Sequence, residues 1–198
     1  RQHVADLIGA DPSEIVFTSC GTESDNMALR GAIESAAKGT RIIHSRVEHP
    51  AVLSPCRRLA EHGFETVEIG VDSGGRLNVD EFRKSLAAGP AVVSIMWANN
   101  ETGVVFPIEQ IASIAKEAGC IVHTDAVQAA GKLLIDVRKV PVDLLSMSGH
   151  KLHAPKGIGA LYVRKGTRLA AFMLGGHQEN GRRAGTENVP YIVGLGKA

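Results

Sequence analysis

Short apolar runs and amphipathic stretches take turns along this chain. RQHVADLIG (1–9) spaces its apolar residues for a helix, with Val4, Leu7 and Ile8 on one face. EIVFTS (14–19) is a strand-length apolar run. TESDNMALRGAIESAA (22–37) reads as a helix with acidic residues in its first turn. RIIHSRV (41–47) follows as a strand, and PAVLSPCRRLAEHG (50–63) as a helix despite its internal Pro55. FETVEIG (64–70) is a strand, and NVDEFRKSL (78–86) a short helix with Asp80 and Glu81 near its start. AVVSIMWA (91–98) is a strand, and PIEQIASIAKEAG (107–119) a helix opened by Pro and closed by Gly. CIVHTDA (120–126), DLLSMS (143–148) and GALYVR (159–164) complete the strands.

Strands that alternate with helices of this length imply βαβ units. The expected fold is α/β, with a mainly parallel, mixed sheet and helices on both faces. Ligands of such sheets sit beyond the carboxyl ends of the strands. The turns there are SCGT (19–22), VEHP (47–50), ANNETG (98–103), TDAVQ (124–128) and SGHK (148–151), and they hold most of the chain's unusual polar residues. No repeat, linker or low-complexity run interrupts residues 1–198, which read as one domain. The chain opens on a helix pattern without a cap and stops in YIVGLGKA, which reads as a helix beginning. The expectation is a piece of a longer protein.

Composition narrows the class without changing the fold. The 198 residues are 44% hydrophobic and 22% charged, with a formal net charge of +1, so no basic signature of nucleic-acid binding is present. The apolar runs are too short to cross a bilayer, and the N-terminus is neither a signal nor a transit peptide. Three widely spaced cysteines, Cys20, Cys56 and Cys120, with no CxxC, argue against a disulfide framework and for a reducing cytoplasm. Among eight histidines, His150 and His153 have the spacing of metal ligands but no third ligand beside them, and no metal site is expected.

The turns offer a chemistry when taken together. In SCGTESDN a strand passes into a helix through Gly21, where backbone can approach a ligand at a helix N-terminus. Thr22 adds a hydroxyl that suits a phosphate or serves as a plain N-cap. No GxxxxGK is present, and GIG at 157–159 precedes a strand, so neither nucleotide fingerprint applies. Asp125 ends an apolar run, where a desolvated carboxylate needs a cation or N–H partner. That partner is another side chain or a protonated ring nitrogen. Lys151 follows the next strand, in SMSGHKLHAPKG (146–157). An Asp and a Lys at neighbouring strand ends, beside a phosphate cup, are what pyridoxal phosphate requires. The Lys makes a Schiff base with the aldehyde and the Asp keeps the ring nitrogen protonated. Burial beside other cations, with His150 and Lys156 as candidates, would lower the lysine's pKa for that attack.

FTSCGTESDN, VEHPAVL, MWANNETGVVFPIE, HTDAVQAAGK, LSMSGHKLHAPKGIGALYVR and GGHQENGRRAGTENV carry a resemblance over nearly the whole chain. They resemble the cysteine desulfurases, among the class V aminotransferase-like, fold-type I pyridoxal phosphate enzymes. The closest likeness is to the NifS type that supplies sulfur for nitrogenase iron–sulfur clusters. The resemblance implies that residues 1–198 are the large cofactor-binding domain, without the N-terminal segment and C-terminal small domain of the family. It implies that Lys151 bonds the cofactor and moves the substrate Cα proton, that Asp125 pairs with the pyridine N–H and that Gln128 bonds the ring hydroxyl. His49 would stack on the ring and serve as acid or base. Asn100 would lie near the ring hydroxyl and the substrate carboxylate. Gly21, Thr22, Ser148 and His150 would hold the phosphate, and Thr186 would reach the phosphate of the other subunit of a homodimer.

The implied reaction converts L-cysteine to L-alanine and passes sulfur, as an enzyme persulfide, to an iron–sulfur scaffold protein. The family's nucleophilic cysteine and its carboxylate-binding arginine have no counterparts here, so this piece alone is expected to be inactive. Cys20 belongs to the phosphate turn, while Cys56 and Cys120 read as buried small hydrophobes. Three alternatives stay open. One is another pyridoxal phosphate enzyme, such as a selenocysteine lyase or an aminotransferase. The second is a non-catalytic cofactor-binding or dimerisation fragment. The third is a thiol hydrolase using Cys20 with His49 and an acid.

Overall fold

The central strands are apolar at successive positions rather than alternate ones, so they need cover on both faces. A computed structural model, which describes residues 1–198, gives them that cover. The chain runs α1 (Gln2–Ile8), β1 (Ile15–Thr18), α2 (Gly21–Ser35), β2 (Arg41–Ser45), α3 (Pro50–Glu61), β3 (Thr66–Ile69), α4 (Val79–Leu86), β4 (Ala91–Ser94), α5 (Ile108–Glu117), β5 (Ile121–Asp125), β6 (Leu144–Ser148), β7 (Gly159–Val163) and α6 (Val189–Lys197). All seven strands join one sheet in the order β1-β7-β6-β5-β4-β2-β3. The five from β6 to β3 pair in parallel, and β7 runs antiparallel between β6 and β1. The mixed α/β sheet expected from the sequence is therefore the one observed.

Neighbouring residues of each strand feed opposite cores. Ile42, Val92 and Leu144 pack with Met27, Ala28 and Leu29 of α2 and with Val52 and Cys56 of α3. Ile43, Val93 and Leu145 pack with Val4 and Ile8 of α1, Phe82 of α4 and Ile111 of α5. Burying Phe82 completely contributes about 3 kcal/mol, within the range for a large apolar side chain. Pro55 sits inside α3 without ending it.

Three local expectations differ from what forms. Leu7 does not share the buried face of α1; Val4, Ala5 and Ile8 make that face, and Leu7 is 40% exposed. The strand read at 91–98 is regular only to Ser94. Trp97 N–H still bonds Asp125 O at 2.8 Å, but Met96 N–H turns to the Glu48 carboxyl at 2.9 Å and ends the ladder on the β2 side. The first turn of α2 holds one acidic residue, Glu23, whose carboxylate takes Arg183 Nε at 2.7 Å and Ser19 N–H at 2.8 Å.

The sheet brings its carboxyl ends to one edge, and Gly159 sets how closely α2 meets that edge. A Cβ at Gly159 would lie 2.7 Å from Cys20 C and 2.9 Å from Cys20 Cα, which are backbone atoms and cannot swing away. We expect Gly159→Ala to destabilise the fold by about 1–3 kcal/mol, the usual cost of overpacking. Urea unfolding measures it, and a change below about 0.5 kcal/mol, the range of neutral surface substitutions, would contradict the packing account.

Candidate active site

Five strand ends build one cavity of about 250 Å³. From β1 the chain passes through Cys20, the N-cap of α2, whose side chain makes no capping bond. The first N–H groups of α2 thus have no side-chain acceptor, and Gly21 and Thr22 line the cavity at the positive end of the helix. Thr22 is the second residue of α2, so its reading as an N-cap does not hold. Gly21 is needed for protein packing, since a Cβ there would meet Val127 Cγ2 at 2.8 Å and Ser148 Cβ at 3.2 Å.

From β2 comes His49, which caps α3 by accepting the Ala51 N–H on Nδ1 at 3.1 Å. The hydrogen of its neutral ring is therefore on Nε2. From β4 comes Asn100. The residue before it, Asn99, shapes that turn: its Oδ1 accepts the N–H groups of Glu101 at 3.0 Å and Thr102 at 2.9 Å, and its Nδ2 donates to Val47 O at 3.0 Å. From β5 come Asp125 and Gln128, and from β6 Ser148, His150 and Lys151. Ser148 Oγ and His150 Nδ1 are hydrogen-bonded at 2.8 Å.

All the candidate residues except Thr186 thus line one cavity. Thr186 is exposed and lies outside it, beside Phe17 and Arg183. Lys151 is exposed, not buried among cations, because the short helical turn at Gly149–Leu152 carries it to the rim. His153 faces away into a separate hollow beside His3 of α1. The Cys20–His49 pairing a thiol hydrolase needs is not formed. His49 Nδ1 is committed to Ala51 N–H, and the Cys20 thiol has only Ser19 Oγ, at 3.7 Å. Cys56 and Cys120 are buried, as their sequence setting suggested, and burial pushes the Cys56 thiol up to about 12.

Below the cavity lies a layer of buried polar groups that the sequence reading passed over. The Asp125 carboxyl accepts Val127 N–H at 2.9 Å. Burial raises its pKa, while that N–H and the nearby His49 act against the rise. Asp25 of α2 is 1% exposed and lines the same cavity. Burial first, then the Asp125 charge, holds its carboxyl well above the usual range. Glu48 Oε1 takes the Ser45 hydroxyl at 2.5 Å and Met96 N–H at 2.9 Å, while Oε2 has no partner. Burial pushes Glu48 up to about 8. His123 sits between Ser94 Oγ at 2.8 Å and Ser146 Oγ at 3.0 Å, and burial pushes it down to about 3. Asp25 was discoverable, because the 25–28–29–32 spacing puts it on the stripe of Ala28, Leu29 and Ala32. Glu48 lies in the turn segment after β2 and His123 in the short strand β5, where no comparable period marks them.

These residues fit pyridoxal phosphate. Three carboxyls lie beneath the cavity with no Lys or Arg buried against them, and Asp125 faces the space where a cationic ring nitrogen would meet it. The uncapped start of α2, with Ser148 and His150, suits the phosphate. Lys151 stands at the rim within the same lining.

The chain matches known proteins along its whole length. The family model described as Aminotransferase class-V matches residues 1–198. A protein of Nostoc sp. named cysteine desulfurase is 57% identical over all of this chain and 50% of its own. A solved structure named NifS-like protein superposes with a TM-score of 0.94 at 42% identity, covering 99% of this chain and 55% of that one. Another, named SspA in complex with cysteine, gives a TM-score of 0.94 at 41% identity, covering 99% and 57%. This chain spans about half the length of the curated relatives it matches.

The buried acids and His123 give stability opposite slopes with pH. Glu48 in the unfolded chain ionises near 4.5 and in the folded chain near 8. Its contribution is complete below 4.5 and is lost as pH rises through 8, about 5 kcal/mol in all. Asp25 acts in the same direction. His123 acts the other way: its contribution is present above 6.5 and is lost as pH falls towards 3. Between 6.5 and 8 the acid slope stands alone. We expect the urea midpoint to fall across that window, and Glu48→Gln to remove about 2 kcal/mol of the fall. An unchanged slope in Glu48→Gln would show that Glu48 is already ionised in the folded chain.

Proposed function

The chain belongs to the class-V aminotransferase family, and from that premise we propose that it is the pyridoxal phosphate-binding large domain of a cysteine desulfurase of the NifS type. The observation that carries the reading is the meeting of Asp125, Lys151 and the uncapped start of α2 in one cavity. When bound, pyridoxal phosphate supplies an aldehyde for an amine and a ring that takes up electrons released at the substrate's α-carbon.

The chain's own groups then divide the work. Asp125 would accept the ring N–H and keep it protonated, which accounts for a carboxyl retained where burial opposes its charge. The α2 N-terminus, Thr22, Ser148 and His150 hold the phosphate by N–H and O–H donation. Gln128 and Asn100 would bond the ring's oxygen substituent, and His49 would stack on the ring. Lys151 is the amine that would bond the aldehyde and would carry the α-proton of L-cysteine. The name of one structural relative, SspA in complex with cysteine, supports that substrate.

Sulfur transfer needs a thiolate that this chain does not provide. Cys56 and Cys120 are buried and their thiols are held above the usual range, so neither is an accessible nucleophile. Cys20 stands at the phosphate end of the cavity. The persulfide-forming cysteine therefore belongs to the part of the relatives' length outside this chain, and the onward steps are delivery to an iron–sulfur scaffold protein, serving nitrogenase, by a homodimer. Thr186, outside its own chain's cavity, suits a contact with the phosphate of a second subunit.

Adding pyridoxal phosphate to the purified chain should give visible absorption, and borohydride should then fix the cofactor on the Lys151 peptide, as read by mass. Lys151→Ala should lose the fixation. Fixation elsewhere, or none at saturating cofactor, would refute the site. With L-cysteine and a thiol reductant, the loaded chain should release no sulfide until the missing half of a relative is supplied in trans. Sulfide release by the chain alone that disappears in Cys20→Ser would overturn the proposal that the nucleophile lies elsewhere.

A further inference from the structure

Three carboxyls lie in or against the floor of the cavity, and the proposed function uses only Asp125. Asp25 reaches the same space from α2, with a side chain 1% exposed. Its Oδ1 has no hydrogen-bond partner and lies 3.5 Å from His123 Nε2. That histidine is fully buried and neutral at physiological pH, so it is no counter-ion. The other ionisable groups that act on Asp25 are Asp125, Glu48 and Cys20, all of which repel a charge there. The Ser146 hydroxyl on β6, which bonds His123 Nε2 at 3.0 Å, is the one neighbour that favours its anion. Glu23, on the preceding turn of α2, is paired with Arg183. His49, His150 and Lys151, the cation-forming groups of the lining, sit at its half-exposed or exposed rim.

We propose that Asp25 is a positioning residue that carries a proton, so that the paired carboxyls of the floor hold a single negative charge and that charge is on Asp125. The choice between the two follows from their surroundings. Asp125 has the Val127 N–H on its carboxyl and His49 across the cavity, both of which favour the anion. Asp25 has an unpartnered oxygen, deeper burial and like charges around it. Two buried carboxyls that line one cavity with no buried cation beside them do not both ionise. The consequence is a charge match: one anion for one ring cation. A second buried anion would leave the loaded site with an uncompensated charge.

The assignment of the cation as a pyridinium rests on the proposed function, but the proton on Asp25 does not, and the test separates them. Infrared spectra of the chain without cofactor, at neutral pH, should show carboxylic-acid C=O bands. Asp25→Asn should remove one and Glu48→Gln a different one. In the binding arm, Asp25→Asn, a neutral isostere, should change pyridoxal phosphate affinity by less than about threefold, whereas Asp125→Asn should weaken it by more than about tenfold. Aspartate-selective ¹³C labelling identifies the aspartic-acid band in the unsubstituted chain, so the reading survives a variant that does not fold. The band should then persist in Asp125→Asn. Loss of the band in Asp125→Asn, or its persistence in Asp25→Asn, would put the proton on Asp125 and overturn the proposal. Equal loss of cofactor affinity in both variants would also overturn it, since Asp25 would then act as an anion. A chain that shows the Asp25 band but takes up no cofactor would refute the functional reading and leave the proton assignment standing.

Discussion

A carboxylate with no buried cation beside it governs the site. Asp125 ends β5 at a point where two cores have already excluded water, and its support from the chain is one backbone N–H and the neighbouring His49. Retaining a charge there opposes the hydrophobic packing that builds the rest of the sheet. The arrangement makes sense only if something positively charged completes it. The same logic explains the neutral groups around it. Burial favours the uncharged forms of Glu48, Asp25 and His123, and the hydrogen bonds of Glu48 and His123 tie β2, β4 and β6 together.

The fold brings this about by register rather than by loops. Five strands run in the same direction or nearly so into one edge, and each contributes its first residues past the ladder. Strand β4 shows the principle at its finest grain. Its ladder to β2 stops because Glu48 takes the Met96 N–H, which opens room above Asp125 while Trp97 N–H still holds the β5 side. Glycine serves the same end at Gly21 and Gly159, where any side chain would push α2 away from the strands. The floor is thus set by close packing, which is stiff.

Much of this was legible in the sequence. Apolar runs and helical spacings gave the element order, because both are periodic and local. The strand-end rule gathered Gly21, His49, Asn100, Asp125 and Lys151 from five distant turns without any structure. Their motifs then carried the family. What escaped was of two kinds. Asp25 sits on a buried helix stripe that its charge disguised as an exposed first-turn acid. Glu48 and His123 belong to short segments, where a buried polar residue looks the same as an exposed one until its neighbours from other strands are known. The burial expected around Lys151 failed for a related reason: a strand-end turn fixes where a residue is along the chain, not whether anything lies over it.

That last point bears on how the site is assembled. The floor is finished within this chain: Asp125, the polar groups beneath it and Gly21 at the start of α2 are buried. The rim is not, for Thr22, Asn100, His150 and Lys151 are all exposed. A lysine attacks a carbonyl only when unprotonated, and in general that state is favoured by removing water from the amine. In this chain the floor cannot do it for Lys151, because the residue stands above it. On the proposed function, that desolvation would come from atoms laid over the rim: the ring and substrate from inside, and from outside a further segment or a second subunit. On the proposed function, binding specificity for a cationic ring is a property of the floor. Reactivity of Lys151 is a property of what closes over it, and the two are separable in the same cavity.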